Sequence, residues 1–195
     1  MRVIAGTAHG RTLHATPATR PTADLIKGAI FSMLEALAYK RGFEPDEDAF
    51  AAALAWPRVL DLFAGSGALG IEALSRGARF ADLVEQDRAA ARVVEQNLVA
   101  TGVSDRARIH VAPIHVVHGR LQGPFDVIFA DPPYAEAAAL QATVELLARP
   151  GLLEPTSVVV FEQPATAEPP DSVGSLPLTK TRRHGRTRIS LYGVH

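Results

Sequence analysis

Short apolar runs alternate with amphipathic segments along most of this chain. The runs predict buried strands and the amphipathic segments predict helices, because the two patterns follow the periods of a strand and a helix. The predicted strands are 58–63, 81–85, 107–111, 125–130 and 157–162, and the predicted helices between them are 68–76, 88–101, 114–121 and 135–148. This alternation predicts parallel βαβ units, and therefore an α/β fold with a doubly wound, mostly parallel sheet covered by helices on both faces.

The two ends of the chain depart from that alternation. Residues 1–15 are predicted to form a short hairpin, and residues 22–41 an amphipathic helix. At the other end, a loop rich in proline and acidic residues, 164–177, leads to two final strands. These strands, 178–183 and 186–192, are predicted to form an antiparallel hairpin at the edge of the sheet.

The length of 195 residues is enough for a compact unit that buries roughly 70% of the surface of its unfolded chain. We expect residues 42–195 to form this domain, residues 1–41 to pack against it as a small basic extension, and the protein to be a monomer. No apolar run approaches the ~20 residues of a membrane span, and the first apolar stretch is too short for a secretory signal. These features predict a cytoplasmic protein.

The chain contains no cysteine, which excludes several classes of chemistry. A disulfide scaffold and a thiolate metal site both need cysteine, and so does cytosine C5 methylation through a cysteine adduct. His110, His115 and His118 lie close together in the sequence, but no acidic or thiol ligand lies between them. We therefore expect no bound metal.

A glycine-rich turn follows the strand predicted at 58–63. Gly65, Gly67 and Gly70 match the G-x-G-x-x-G pattern of a nucleotide-binding turn, and Glu85 follows at nearly the spacing of an acid that binds ribose hydroxyls. A nicotinamide cofactor fits this pattern, but Asp61 below the turn would face its anionic pyrophosphate. S-adenosylmethionine instead presents an ammonium and a sulfonium there, which a carboxylate stabilises.

The strongest chemical signal is the sequence Asp131-Pro132-Pro133-Tyr134, directly after the apolar run 125–130. An amino group on a nucleobase is a poor nucleophile because its lone pair is delocalised into the ring. The Asp131 carboxylate and a backbone carbonyl fixed by the prolines can accept its two N–H bonds and localise the lone pair. Tyr134 can stack on the base, a contact worth roughly 1–3 kcal/mol. Together with the glycine turn, this motif favours methyl transfer to a base amino group.

Positive charge is concentrated at the two ends of the chain. The net charge is −1, yet residues 1–41 carry +4 and residues 180–195 carry +5, so the middle carries −10. Two basic ends can form one electropositive face for a phosphate backbone while the cofactor domain stays acidic. The residues expected to contact RNA are Arg11, Arg20, Lys180, Arg182, Arg183, Arg186 and Arg188.

These motifs, together with the stretches 6–13, 19–24 and 185–192, resemble the RsmD family over nearly the whole chain. The resemblance implies a Rossmann-like methyltransferase that uses S-adenosylmethionine to modify N2 of a guanine in 16S ribosomal RNA, in the small ribosomal subunit. The catalytic residues that it implies are Asp131, Pro132, Pro133 and Tyr134. The cofactor-binding residues that it implies are Asp61, Phe63, Gly65, Ser66, Gly67, Glu85, Gln86, Ala112 and Pro113.

Three other functions fit part of the sequence. A DNA amino-methyltransferase acting on adenine N6 or cytosine N4 can use the same Asp-Pro-Pro-Tyr motif, but such enzymes usually add a recognition domain, for which this chain has no room. A nicotinamide-dependent dehydrogenase needs a hydride-transfer site, and the sequence offers none that we can identify. A non-catalytic RNA-binding module would not need the glycine turn and the carboxylate motif together.

Overall fold

A computed structural model of the chain describes residues 1–16, 24–43, 56–132 and 137–194. The helices are α1 (Asp24–Lys40), α2 (Ala68–Ser75), α3 (Arg88–Thr101), α4 (Ile114–Val117) and α5 (Ala137–Leu147). The strands are β1 (Arg58–Asp61), β2 (Phe80–Glu85), β3 (Ala107–Val111), β4 (Val127–Ala130), β5 (Val158–Pro164), β6 (Ser172–Val173), β7 (Leu176–His184) and β8 (Thr187–Tyr192). Short 3₁₀ turns lie at Ser104–Arg106 and His118–Arg120.

The strands of the described ranges form one mixed sheet in the order β3-β2-β1-β4-β5-β8-β7-β6. Strands β1 to β5 are parallel, whereas β8, β7 and β6 each run antiparallel to the strand before them in that order. The strand order reverses between β1 and β4, and open α/β sheets bind ligands at the carboxyl ends of the strands beside such a reversal. The predicted doubly wound fold with an antiparallel C-terminal hairpin is therefore confirmed.

Two hydrophobic cores lie on opposite faces of the sheet. Helices α1, α2 and α3 cover one face, which includes Val158 and Val160 of β5, and helices α4 and α5 cover the other, which includes Val159 and Phe161. Successive side chains of a strand point to opposite faces, so a strand buried on both sides is apolar at every position. This is why the parallel strands read as continuous apolar runs in the sequence.

The structure corrects several boundaries expected from the sequence. The region 164–177 is not a loop throughout, because Val173 and Leu176 are apolar and pack into the core under α5, which makes β6 and extends β7. Strand β6, rather than the β7–β8 hairpin, is therefore the outermost strand at this side of the sheet. The helix expected at 114–121 changes to a 3₁₀ turn after α4, since Gly119 disfavours an α-helix there.

Residues 1–15 form the short hairpin expected: Arg2 and Thr12 make an antiparallel bridge, the Val3 N–H donates to Arg11 O at 2.9 Å, and the Leu13 N–H donates to Met1 O at 3.0 Å. The backbone of this segment also bonds to α2, where the Ala8 N–H donates to Ser75 Oγ at 2.9 Å. We refer to residues 1–16 as the N-terminal arm. The arm satisfies its buried polar groups on a neighbouring helix, as buried backbone must.

A buried polar cluster around Glu72 of α2 fixes the N-terminal arm and α1 to the domain. The Glu72 carboxylate accepts hydrogen bonds from the backbone N–H groups of Ile4 at 2.9 Å and Ala5 at 3.0 Å. It also pairs with Lys27 Nζ at 3.0 Å and with Arg76 Nε at 2.9 Å. Both Glu72 and Lys27 are fully buried, so this cluster is a structural anchor and not a surface ion pair.

Candidate functional site

The site predicted from the sequence lies at one edge of the sheet, where β1, β2 and β4 end. Strand β1 pairs with β2 and β4 on either side, with Asp61 level with Leu83 of β2 and Phe129 of β4. The carboxyl ends of these parallel strands therefore meet, and the turn after β1 lies between the end of β2 and the end of β4.

Close packing requires two glycines here, Gly67 in the turn after β1 and Gly70 in the first turn of α2. Gly67 has a φ of 80°, in the left-handed region that side chains disfavour, and a Cβ there would lie 3.0 Å from Ile71 Cδ1 and 3.3 Å from Val94 Cγ1. A Cβ on Gly70 would lie 2.9 Å from Leu83 Cδ2, so this glycine lets α2 pack closely on β2. Both glycines are buried and thus allow close packing below the carboxyl edge of the sheet, where nucleotide-binding folds hold their cofactor.

Glu85 at the end of β2 is held in place by two backbone groups. Its Oε2 accepts a hydrogen bond from the Gly65 N–H at 2.9 Å, and its Oε1 accepts one from the Asp87 N–H at 2.8 Å. Asp87 in turn caps the first turn of α3 by accepting from the Ala90 N–H at 2.7 Å. Each Glu85 oxygen keeps a further lone pair, so the half-buried carboxylate can still accept hydrogen bonds from a ligand's hydroxyl groups.

Asp61 lies beneath the turn and is almost completely buried, with 3% of its surface exposed. Its Oδ2 accepts a hydrogen bond from the Gly70 N–H at 3.0 Å, which ties β1 to α2. The pKa of Asp61 is raised to about 7, mainly by burial and to a smaller extent by the nearby charge of Glu85, against the opposing effect of the N–H groups of Gly70 and Phe63. Asp61 therefore helps to build the turn, a role that the sequence did not indicate.

Two further strand ends contribute to the same edge. Ala112, buried after β3, donates its N–H to Glu85 O at 3.1 Å, and the half-buried Pro113 follows at the start of α4. Between the turn and these residues, Phe63 is half-buried, Ser66 is buried and Gln86 is exposed. The structure thus brings all the expected cofactor-binding residues to one edge, while their contact with a cofactor stays a prediction.

Asp131 and Pro132 directly follow β4 at this edge. Asp131 is half-buried and Pro132 is buried. Because Ala130 pairs with Phe161, the motif begins beside the carboxyl half of β5. Because Phe129 pairs with Asp61, the motif also begins close to the turn that follows β1. Pro133 and Tyr134 lie outside the described residues, so the expected base stacking stays a prediction.

Asn97 of α3 belongs to the site and was not identified from the sequence. Its side chain is fully buried, and its Nδ2 donates to Ser66 O at 2.8 Å and to His14 O at 2.9 Å. Its Oδ1 accepts from the His14 N–H at 2.9 Å. Asn97 thereby joins the N-terminal arm to the glycine turn. A polar residue on the buried side of an amphipathic helix is the signal that could have identified it.

The tip of the β7–β8 hairpin projects from the carboxyl edge of the sheet. Thr187 at the start of β8 pairs with Pro164 at the end of β5, so the turn between β7 and β8 lies just beyond that edge. Arg182, Arg183 and Arg186 are exposed on the hairpin. These three cations are therefore held on the side of the sheet where Asp131 lies.

The other basic residues expected to contact RNA differ in their surroundings. Arg188 is engaged within the protein, since its guanidinium donates to Ala165 O at 2.9 Å and pairs with Glu168 at 3.3 Å. Lys180 is half-buried on β7, and Arg11 is exposed on the N-terminal arm. Arg20 lies outside the described residues. The exposed cations of the hairpin tip are therefore better placed to meet a phosphate backbone than Arg188.

The described part of the chain contains no group of three histidine, aspartate or glutamate side chains arranged to hold a metal ion. His110 instead pairs with Asp82, with 2.6 Å between Nε2 and Oδ1, and both side chains are buried. Within the same ranges, no helix has the length and apolar character to cross a membrane.

Comparison with known proteins identifies relatives over almost the full chain. Residues 1–193 match the model of a family described as conserved hypothetical protein 95. The Bacillus subtilis protein YlbH is 36% identical over 198 residues, which cover 98% of each chain. Ribosomal RNA small subunit methyltransferase D of Escherichia coli K12 is 30% identical over 194 residues, which cover 98% of this chain and 89% of the relative. The solved structure of yhhF from Escherichia coli superposes with a TM-score of 0.78 at 30% identity, covering 98% of this chain and 96% of that one.

Proposed function

Because the chain belongs to the RsmD family of methyltransferases, we propose that it transfers a methyl group from S-adenosylmethionine to N2 of a guanine in 16S ribosomal RNA. The substrate is the RNA of the small ribosomal subunit. The observation that carries the proposal is the position of Asp131 beside the glycine turn, at the reversal of strand order. A base amino group held by this carboxylate lies within reach of a cofactor bound over the turn.

The chemistry of the turn fits S-adenosylmethionine. Glu85 offers acceptor oxygens for two ribose hydroxyls, and the partly exposed Gly65 leaves its backbone open to close approach. Asp61, whose pKa is raised to about 7, supplies negative charge near the amino-acid end of the cofactor when it is ionised, and the positive charge of the cofactor favours that ionised form. Ala112 and Pro113 lie at the end of β3, where an adenine ring would sit beside β2. The bound cofactor supplies a methyl group made electrophilic by its sulfonium.

Asp131 prepares the amino group for attack. Its carboxylate accepts one N–H of the base amino group and the Pro132 carbonyl accepts the other, which localises the nitrogen lone pair. As the nitrogen–carbon bond forms, the bond between the methyl group and sulfur would break and leave a neutral thioether, and the Asp131 carboxylate would accept the proton that the nitrogen loses. Stacking on Tyr134 holds the base, which is first taken out of its stack at a cost of a few kcal/mol, least for an unpaired nucleotide.

The basic hairpin tip binds the RNA around the target base. Arg182, Arg183 and Arg186 lie on the same side of the sheet as Asp131, and phosphate contacts of this kind position an RNA without reading its sequence. Arg11, exposed on the N-terminal arm, supplies a further cation for the RNA.

Methyl transfer in vitro tests this proposal. Purified protein is incubated with labelled S-adenosylmethionine and small subunits that lack the modification, with Asp131→Ala as the comparison. We expect transfer by the wild-type protein and a rate about 10²–10³ lower for the variant, because the acceptor that localises the lone pair is lost. Equal rates for the two proteins would contradict the proposed role of Asp131.

A further inference from the structure

Polar residues begin abruptly at the carboxyl end of β5. The strand consists of apolar, buried residues from Val158 to Phe161 and then continues with Glu162 and Gln163, each only 2% exposed. A strand covered on both faces is normally apolar throughout, and burial of a carboxylate or an amide is costly without a compensating interaction. In the described part of the chain, neither amide atom of Gln163 has a hydrogen-bond partner. Gln163 points to the face opposite to Glu162, so its amide does not bear on the surroundings of Glu162; on the face of Glu162, the change from the apolar Val160 to a buried carboxylate is what indicates a polar site.

Glu162 lies beside Asp131 in the sheet. Strands β4 and β5 are parallel with Ala130 level with Phe161, and this register continued by one residue brings Glu162 level with Asp131, which directly follows β4. The alternation of side chains, continued in the same way to Asp131, gives both carboxylates the face of Phe129 and Val160, which is the face covered by α1, α2 and α3. Neighbouring strands lie about 4.8 Å apart, so one base can meet both carboxylates.

The atom beside the amino group distinguishes the nucleobases. Guanine carries an N1–H donor next to its 2-amino group, whereas adenine N1 and cytosine N3, next to their amino groups, carry lone pairs. A carboxylate accepts a hydrogen bond from N1–H but repels a lone pair. A second carboxylate beside Asp131 therefore selects guanine over adenine and cytosine.

We propose that Glu162 accepts a hydrogen bond from N1–H of the target guanine and so determines the base specificity of the enzyme. This inference rests on the proposed function, since it assigns the second contact of the base that Asp131 holds. It also gives a physical reason why an Asp-Pro-Pro-Tyr motif, which by itself grips any base amino group, acts here on guanine.

A base analogue separates this role from a structural one. 2-Aminopurine keeps the 2-amino group but has a lone pair at N1 in place of N1–H. Small subunits are reconstituted with 16S RNA carrying guanine or 2-aminopurine at the modified position, and kcat/KM is measured for each. The wild-type protein should prefer guanine by about 10²-fold or more, because an unpaired buried polar group strongly disfavours the analogue.

The variant Glu162→Gln should lose this preference. Its amide can turn an N–H towards the N1 lone pair, so kcat/KM for guanine should fall about 10–10²-fold while the preference shrinks to tenfold or less. Glu162→Asp keeps the charge on a shorter side chain and should keep the preference at a lower rate. Glu154→Gln makes the same change at an exposed position that precedes the first residue of β5, and should leave kcat/KM unchanged for both substrates.

The outcomes are distinct. An equal loss on both substrates, or no loss on either, would overturn the role of Glu162 while leaving the proposed function intact. Thermal melting of each variant shows whether such an equal loss reflects unfolding. If Glu162→Gln is unfolded, the comparison of kcat/KM for guanine and 2-aminopurine is made with Glu162→Asp, which keeps the carboxylate. If the wild-type protein transferred no methyl group to the guanine substrate, the proposed function would fail, and this inference with it.

Discussion

Removal of the Glu72 side chain should strongly destabilise the protein and release its N-terminal arm. Glu72 and Lys27 are fully buried and lie 3.0 Å apart, and Lys27 Nζ has two further acceptors, the Arg2 carbonyl at 2.5 Å and, at the longer distance of 4.0 Å, Asp24 Oδ1. In Glu72→Ala the buried Lys27 ammonium would keep only these two weaker partners. Arg76 would keep its 2.6 Å contact with Glu35, so the main cost falls on Lys27 and on the arm.

The magnitude follows from these contacts. Removal of one member of a buried ion pair costs about 3–5 kcal/mol, because the remaining charge is left uncompensated. The backbone N–H groups of Ile4 and Ala5 also lose their acceptor, which costs about 1 kcal/mol each where water cannot replace it. We therefore expect the free energy of unfolding to fall by about 3–7 kcal/mol, the lower value applying if water replaces the lost acceptor of the two N–H groups, which is a large part of the 5–15 kcal/mol typical of a domain.

Urea denaturation followed by circular dichroism measures this loss, and limited proteolysis reports release of the arm. Glu95→Ala is the matched control, since Glu95 is exposed on α3 and its loss should change stability by no more than about 0.5 kcal/mol. If Glu72→Ala lost less than 1 kcal/mol, the buried cluster would not be the anchor that its geometry indicates.

Three further predictions concern the turn, its buried carboxyl and the basic hairpin. Gly67→Ala should weaken S-adenosylmethionine binding in calorimetry far more than Gly102→Ala, because both glycines have a positive φ but only a Cβ at Gly67 meets close neighbours. The pKa of Asp61 is raised to about 7 in the folded protein, so between pH 4 and pH 7 the unfolded chain loses this proton while the folded protein largely keeps it, and the free energy of unfolding should fall with rising pH by up to ~4 kcal/mol. Asp61→Asn should remove this pH dependence; urea titrations that show the same pH dependence in the variant would refute the raised pKa of Asp61. Replacing Arg182 and Arg183 by alanine should leave cofactor affinity unchanged and flatten the salt dependence of RNA binding by about 0.7 log unit per lost phosphate contact, whereas an unaltered slope would exclude them from the interface.

The parallel core of the fold could be predicted from the sequence because strands buried on both faces leave a local signal. The apolar run before Asp131 and the turn at Gly65 each mark the end of a strand, and parallel topology then places those ends at one edge. Strand β6 could not be predicted, since two residues are too few to show a period, and only pairing with β7 orders them.

Contacts between distant residues account for what the sequence did not indicate. Glu72 lies 68 residues from Ile4, and Asn97 lies 83 residues from His14, so no local pattern shows that they hold the N-terminal arm. Glu72 does stand in a helix whose every residue is buried, and a charge in such a helix is a usable sign of a buried partner. Arg188 fitted the basic pattern of the hairpin, but its bond to Ala165 could be seen only in the fold.

Mass spectrometry of 16S ribosomal RNA nucleosides tests the central claim most directly. RNA is compared from cells with the gene, cells without it, and cells without it that express either the wild-type protein or Asp131→Ala. The account predicts that one N2-methylguanosine disappears with the gene, returns with the wild-type protein and does not return with the variant. An unchanged nucleoside profile, or the loss of a methylated adenosine or cytidine instead, would contradict it.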